Sequence, residues 1–387
     1  MQQKTQRLLL VTTTRADWGI LSPLARELSL LPSVHLTIAA GNMHLSAQYG
    51  YTLNEITADG FNNVIPLTGS EDSNSSRAVI AAEITKGLAE ILSEERYDGI
   101  IMLGDRFEIL AAALAATIAD VPIIHLHGGE ITEGAMDDYI RNAVSKLAAL
   151  HLVATEKAGR RLEEMGEERS RIMHTGALGV YNALNVKPMS VEELSATLDG
   201  FEVDPDKTFL VTFHPVTRHP EGLDENCQID ILLEALDTVK DANYIITFPN
   251  NDPGSEIIIG KLEKFATENK ERVKLVRSLG KQRYLSAMHN VRAVLGNTSS
   301  GLLEAPSTSA YTIDVGPRQK GREHAPSVIH VADDTREIVN AMTKIMKLER
   351  HDPRKITNPY YQEKALELAV NAITEVFPKL SHIKSTH

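Results

Sequence analysis

Short leucine-rich or β-branched runs alternate with longer amphipathic segments along almost the whole chain, and this alternation leaves few folds open. RLLLVTTT, VHLTIAA, DGIIMLGD, VPIIHLH and LHLVAT occupy the first half, each followed by a helix-like stretch. A second series, TFLVTFHP, NYIITFPN, RVKLVRS, RAVLGN, AYTIDVG and SVIHVAD, is separated by patterns such as DENCQIDILLEALDTVKD and SEIIIGKLEKFATEN. Strand and helix alternating in this way imply α/β architecture, parallel sheets with helices on their faces. A chain of 387 residues with 42% apolar content is too long for one ordinary core, so two successive units are expected. NALNVKPMSVEELSATLDGFEVDPDK, with two prolines and little strand signal, marks the boundary at roughly residues 180 to 207.

Composition excludes several function classes. A formal charge of −12 opposes a broad nucleic-acid or anionic-membrane surface, so an anionic ligand needs a local basic pocket. The single cysteine, Cys227, excludes an internal disulfide and any multi-cysteine metal site. The opening MQQKTQRLLLVTTT lacks a cleavage-site pattern, and no apolar run reaches membrane-spanning length. The expected location is cytoplasmic, with neither membrane nor nucleic acid as a partner.

Ligands of open parallel sheets lie beyond the carboxyl ends of the strands, so the residues closing each apolar run are the first candidates. TTTRADWG brings Arg15 and Asp17, GNMHLS brings His44, LGDRFE brings Asp105, Arg106 and Glu108, and HLHGGE brings Glu130. The second series supplies His214, then Asn250 and Asn251, then Thr298, Ser299, Ser300 and Glu304 of GNTSSGLLEAP, then Arg318, Lys320 and Arg322 of VGPRQKGRE. Arg15 and Asp17 equally fit a surface pair or a helix cap, and the missing GxGxxG loop weighs against a dinucleotide. NTSSG fits a phosphate-binding strand-to-helix turn or an ordinary serine cap. PRQKGR by itself fits a solvated basic loop and gains weight from its neighbourhood. Trp18 and Phe107 read as packing residues.

The densest stretch is HLHGGEITEGAMDDYIRNAVSK, residues 125 to 146, which includes Glu133. His125 and His127, two apart on a strand, face the same side and with Glu130 and the Asp137/Asp138 pair fit a divalent metal. The same acids fit proton transfer, their pKa values separated by burial and by Arg106 or Arg141, with the paired glycines letting substrate approach the backbone. A purely structural reading makes the histidines core residues and DDYIR a helix start with an Asp137 to Arg141 pair. The stretch alone leaves all three open.

TTTRADWG, GNMHLSAQYGYT, LGDRFE, HLHGGEITEGAMDD, TFHP, FPNNDPG, GNTSSG and GPRQKGRE, in this order and with these gaps, resemble the motifs of the hydrolysing UDP-N-acetylglucosamine 2-epimerases. Those enzymes make N-acetylmannosamine or its relatives for sialic-acid-type sugars. The resemblance covers nearly the whole chain, and HGGExTxGAxDD is its most specific part. It implies two Rossmann-like domains in the glycosyltransferase-B architecture with the active site in the interdomain cleft. Residues 1–180 would carry the sugar chemistry, 181–360 would hold UDP, and a C-terminal helix in 361–387 would cross back to the first domain.

By motif, Arg15, Arg106, His214, Asn250, Thr298, Ser299, Glu304 and Arg318 resemble nucleotide and phosphate contacts, with Glu304 at the ribose hydroxyls. His44, Arg141 and Ser300 join them as substrate-binding candidates. Asp105, Glu130, Asp137 and Asp138 resemble the acid and base set, with His214 also counted as catalytic. The implied reaction removes the C2 proton, expels UDP to give a 2-acetamidoglucal, and hydrates the double bond with inversion at C2. It calls for no cofactor and no metal. The implied partner is a UDP-sugar, and the expected assembly is a homodimer or homotetramer. Asn142 and Thr298 stand where relatives commonly place histidine and serine, so a UDP-2,4-diacetamido-2,4,6-trideoxyhexose stays open beside UDP-N-acetylglucosamine. A sugar transferase of the same architecture, a non-catalytic nucleotide-sugar sensor and a metal-dependent hydrolase are the rival readings.

Overall fold

Each of the quoted apolar runs forms a strand in the computed structural model, which describes residues 5–380 apart from 48–49, 68–75, 133–135, 217–221, 251 and 253. Glu133 and Asn251 therefore lie outside the described residues. The first sheet contains β1 (Gln6–Thr12), β2 (Val34–Gly41), β3 (Val64–Leu67), β4 (Gly99–Leu103), β5 (Ile123–Leu126), β6 (Leu150–Val153) and β7 (Ile172–His174). The second contains β8 (Thr208–Thr212), β9 (Asn243–Thr247), β10 (Val273–Val276), β11 (Ala293–Gly296), β12 (Tyr311–Val315) and β13 (Val328–Val331). Spatial order is β3-β2-β1-β4-β5-β6-β7 in one and β10-β9-β8-β11-β12-β13 in the other. All neighbours pair in parallel.

The apolar runs are continuous rather than alternating because both faces of each sheet are covered by helices. In β8, Phe209 and Val211 enter one core with Ile229, Leu232 and Ile258, while Leu210, facing the other way, packs with Leu194, Leu285 and Met288. The order of strands reverses between β1 and β4 in the first sheet and between β8 and β11 in the second. Crevices outside the carboxyl ends at such reversals are where open α/β sheets hold ligands.

Two edge strands, β3 and β7, lack a sequence signal: Pro66 interrupts the four residues of β3, and β7 has only three. Pro66 within β3 is tolerated there, since an edge strand has one side with no ladder partner to serve. The segment read as a boundary is itself packed: Leu194, Leu198, Phe201 and Val203 are buried in the second core. Its short helix Val191–Ala196 is started by a Ser190/Glu193 capping box.

The chain divides into two compact units, one of residues 1–130, 136–178 and 360–387, the other of 131–135 and 179–359. In the first, the C-terminal segment packs on the helix Arg15–Leu30, and Phe377 fills the space a side chain on Gly99 would need. Its helix Ala365–Asn371 widens into a π turn over Ala372–Val376, ahead of Pro378, which cannot donate an i→i−4 hydrogen bond. No helix among the described residues is long and apolar enough to cross a membrane.

Candidate active site

In the first unit the polar strand endings converge on one guanidinium. Arg141, on the helix Met136–Leu147 and only 1% exposed, hydrogen-bonds the Asp105 carboxylate beyond β4, the Glu130 carbonyl at 2.9 Å beyond β5, and Asp138 Oδ1 at 3.3 Å on its own helix. Arg161 approaches the same group from another helix, donating to the Glu130 carbonyl at 3.1 Å and to Asp138 Oδ2 at 3.4 Å. The Glu130 carboxylate, in a residue 6% exposed, meets His127 Nδ1 at 2.6 Å. Asp137 stands beside Asp138 in the first helical turn. Arg106 is aimed by its second neighbour, Glu108, which is fully buried, accepts from Arg106 at 2.9 Å and also binds Asn42. Cations thus hold the Asp105 and Asp138 carboxylates and the Glu130 backbone together.

His125 and His127 do not act as a pair. β5 ends at Leu126 and His127 has a left-handed φ of 64°, so the alternation that would aim both rings alike stops one residue too early. His125 Nε2 donates to the Gly104 carbonyl at 2.7 Å and its Nδ1 meets Ser145 Oγ at 3.2 Å. Among the described residues no three His, Cys, Asp or Glu side chains are grouped to hold a metal. The paired glycines serve protein packing: a Cβ on Gly128 would meet Ser145 Oγ at 2.8 Å, and one on Gly129 would overlap the Ala158 carbonyl.

Other candidates of this unit sit apart from the Arg141 cluster in role. Asp17 caps its helix, accepting from Thr13 and Thr14 while Thr14 Oγ1 accepts from Asp17 N. Arg15 lies 3.5 Å from Glu55. Trp18 is a packing residue, edge-on to Phe61 with Nε1 donating to Asp59. His44 is fully buried, its Nε2 3.0 Å from Thr12 Oγ1 and its Nδ1 2.8 Å from Thr52 Oγ1, so both nitrogens are engaged within the protein.

Burial pushes the pKa of both His44 and His125 down to about 4. Because the folded value lies below the ordinary 6.5, the stabilisation from keeping these rings neutral is complete above pH 6.5. It is lost as pH falls from there towards 4, where the unfolded chain takes up protons that the folded one does not. Between pH 7 and pH 5 the two rings together cost about 4 kcal/mol. The first unit is therefore expected to melt at steadily lower temperature over that interval, as read by scanning calorimetry, and His44→Gln is expected to flatten the slope. A first-unit midpoint constant from pH 7 to 5 contradicts this.

In the second unit the endings at the β8/β11 reversal are knitted together by Asn297. Its Oδ1 accepts from His214 N at 2.7 Å, its Nδ2 donates to the His214 carbonyl at 2.8 Å, and its own carbonyl accepts from Arg318 at 3.2 Å and Gln319 at 2.8 Å. The Asn250 N–H donates to His214 Nδ1 at 3.2 Å, so the ring proton of neutral His214 resides on Nε2. Thr298 precedes the helix Ser299–Leu303, and Ser300 Oγ lies 2.7 Å from the Tyr284 hydroxyl and 3.2 Å from Thr298 Oγ1. With only five residues that helix has little dipole, so backbone amides and hydroxyls are what the turn offers an anion. Glu304, 7% exposed, closes the helix.

Asn297 and Arg161 were absent from the sequence candidates. Asn297 had a signal, because it follows β11 directly in GNTSSG. Arg161 had none, since only the packing of its helix brings it to Glu130 and Asp138.

A family model described as UDP-N-acetylglucosamine 2-epimerase matches residues 26–374. The polysialic acid biosynthesis protein P7 of Escherichia coli is 34% identical over 96% of this chain and 94% of its own length. A hydrolyzing UDP-N,N'-diacetylbacillosamine 2-epimerase of Legionella pneumophila is 35% identical over 84% of this chain and 85% of its own. The crystal structure of the Neisseria meningitidis UDP-GlcNAc 2-epimerase bound to UDP-GlcNAc shares the fold, with TM-score 0.76, 18% identity, and coverage of 95% of this chain and 99% of that one. With a model match over most of its length and two relatives above 30% identity, the chain belongs to the UDP-N-acetylglucosamine 2-epimerase family.

Proposed function

We propose that this member is of the hydrolysing kind, converting UDP-N-acetylglucosamine and water to N-acetylmannosamine and UDP. The observation that carries the reading is the Arg141 cluster, in which one buried cation binds the carboxylates of Asp105 and Asp138 and the backbone carbonyl of Glu130, whose own carboxylate meets His127. One carboxylate takes the C2 proton, and the electron pair of that C–H bond becomes the C1–C2 double bond. The C1–O bond breaks with its electrons passing to the departing UDP. Water then delivers hydroxyl to C1 while a protonated group returns hydrogen to the opposite face of C2. The steps are assigned to this set of acids rather than to one member of it.

Nucleotide contacts come from the second unit: Arg318, Asn250, Thr298, Ser299 and Ser300 for the diphosphate end and Glu304 for the ribose hydroxyls. His214, with its proton on Nε2, donates to the developing charge on the leaving diphosphate. His44 acts indirectly, by fixing Thr12 and Thr52.

A second substrate reading, a UDP-2,4-diacetamido-2,4,6-trideoxyhexose, is favoured by the 35% identity to the Legionella enzyme named for diacetylbacillosamine. One experiment separates the possibilities. The protein is incubated with each UDP-sugar in deuterated water without an acceptor, and the product is identified by mass spectrometry and NMR. Free sugar inverted at C2, carrying one deuterium there, with an equivalent of UDP, is expected from the preferred substrate. Deuterium in a sugar still joined to UDP indicates the non-hydrolysing reaction, and an unlabelled, uninverted sugar removes the epimerase reading.

A further inference from the structure

We infer that Gly179, where the chain enters the second unit, sets the position of the Glu304 carboxylate, so that its missing side chain serves nucleotide binding rather than folding. The inference rests on the reading of Glu304 as a nucleotide contact.

Gly179 is buried in the helix Leu178–Asn185 and does not adopt a left-handed φ, so backbone freedom does not explain a glycine there. Space does. A Cβ at this position would overlap Glu304 Oε1 and come within 2.9 Å of Cδ and 3.3 Å of Cγ. The backbone of Glu304 is held independently: its N–H donates to the Ser300 carbonyl at 3.0 Å, and its carbonyl accepts from Ser307 N at 2.9 Å. Asn358, next to the point where the chain leaves this unit, donates from Nδ2 to the Leu303 carbonyl and to Ser307 Oγ, both at 2.8 Å, gripping the turn on either side of Glu304. With its backbone fixed from one crossing of the chain, the carboxylate lies in the space that the other crossing leaves open.

Alanine at 179 displaces the tip of a flexible side chain rather than backbone, and alanine is the better helix former. Folding and binding are therefore expected to move in opposite directions. Gly179→Ala is expected to keep or raise the melting temperature while weakening UDP binding roughly tenfold or more, the range for losing a hydrogen bond to a charged group.

The test is calorimetric titration of UDP into wild type, Gly179→Ala, Glu304→Ala and the double variant, with melting temperatures for all four. Weakened binding in Gly179→Ala at undiminished stability, with no further loss when it is added to Glu304→Ala, supports the inference. Wild-type affinity in Gly179→Ala together with weak binding in Glu304→Ala overturns it and leaves the Glu304 reading standing. An additional loss in the double variant also overturns it, by showing an effect not passed through Glu304. Wild-type affinity in Glu304→Ala removes both.

Discussion

Arg141→Ala is expected to abolish turnover and to cost the first unit about 3–5 kcal/mol of stability, the range for removing one partner from a buried ionic group. The guanidinium is 1% exposed and reaches the carboxylates of Asp105 and Asp138 and the carbonyl of Glu130. Deleting it leaves the half-buried Asp105 and Asp138 carboxylates without their shared cation, with Arg161 still touching only Glu130 and Asp138 among these acceptors. Arg141→Lys keeps the charge but not the fan of donors, and it is expected to recover part of the stability and little of the activity. Denaturant or thermal unfolding resolved for the first unit, beside an assay of UDP release, measures both. Stability unchanged in Arg141→Ala rules out the buried cation as the organiser of the cluster.

Glu130→Gln is expected to lower turnover roughly a hundredfold or more, as for the loss of a general acid or base, while leaving UDP affinity nearly intact. The substitution keeps shape and the carbonyl that Arg141 and Arg161 hold, so the scaffold survives. What it removes is the carboxylate that meets His127 Nδ1 at 2.6 Å. Single-turnover rates and UDP titration on the same preparation separate the two effects. Binding lost in proportion to rate assigns Glu130 to nucleotide recognition, and an unchanged rate removes it from the acid–base set.

Much of the fold is legible in the sequence because the signal is local. A run such as GIIML, apolar on every residue, five residues long and closed by Gly104, suits a strand covered on both faces, and the alternation of such runs with amphipathic segments points to the parallel class. The places to look for chemistry are legible for a related reason: once the strands are known, their carboxyl ends are known, and Asp105, Glu130, His214 and Thr298 follow directly. Edge strands β3 and β7 escape because Pro66 breaks the apolar run of one and the other has only three residues.

Tertiary structure decides what each polar group does, since that depends on which atoms surround it. His44 reads as a substrate-binding candidate, and His125 as a metal ligand or a core residue, until burial leaves both rings neutral and hydrogen-bonded. His127 leaves the face expected of it through a left-handed φ at the strand end. Arg141 meets Asp105 across 36 residues of sequence, and Gly179 leaves room for Glu304 from another crossing of the chain. Periodicity is a property of neighbours along the chain and can be read there. Hydrogen-bond partners, dielectric surroundings and excluded volume are set by residues far apart in sequence, and only the packed chain brings them into contact.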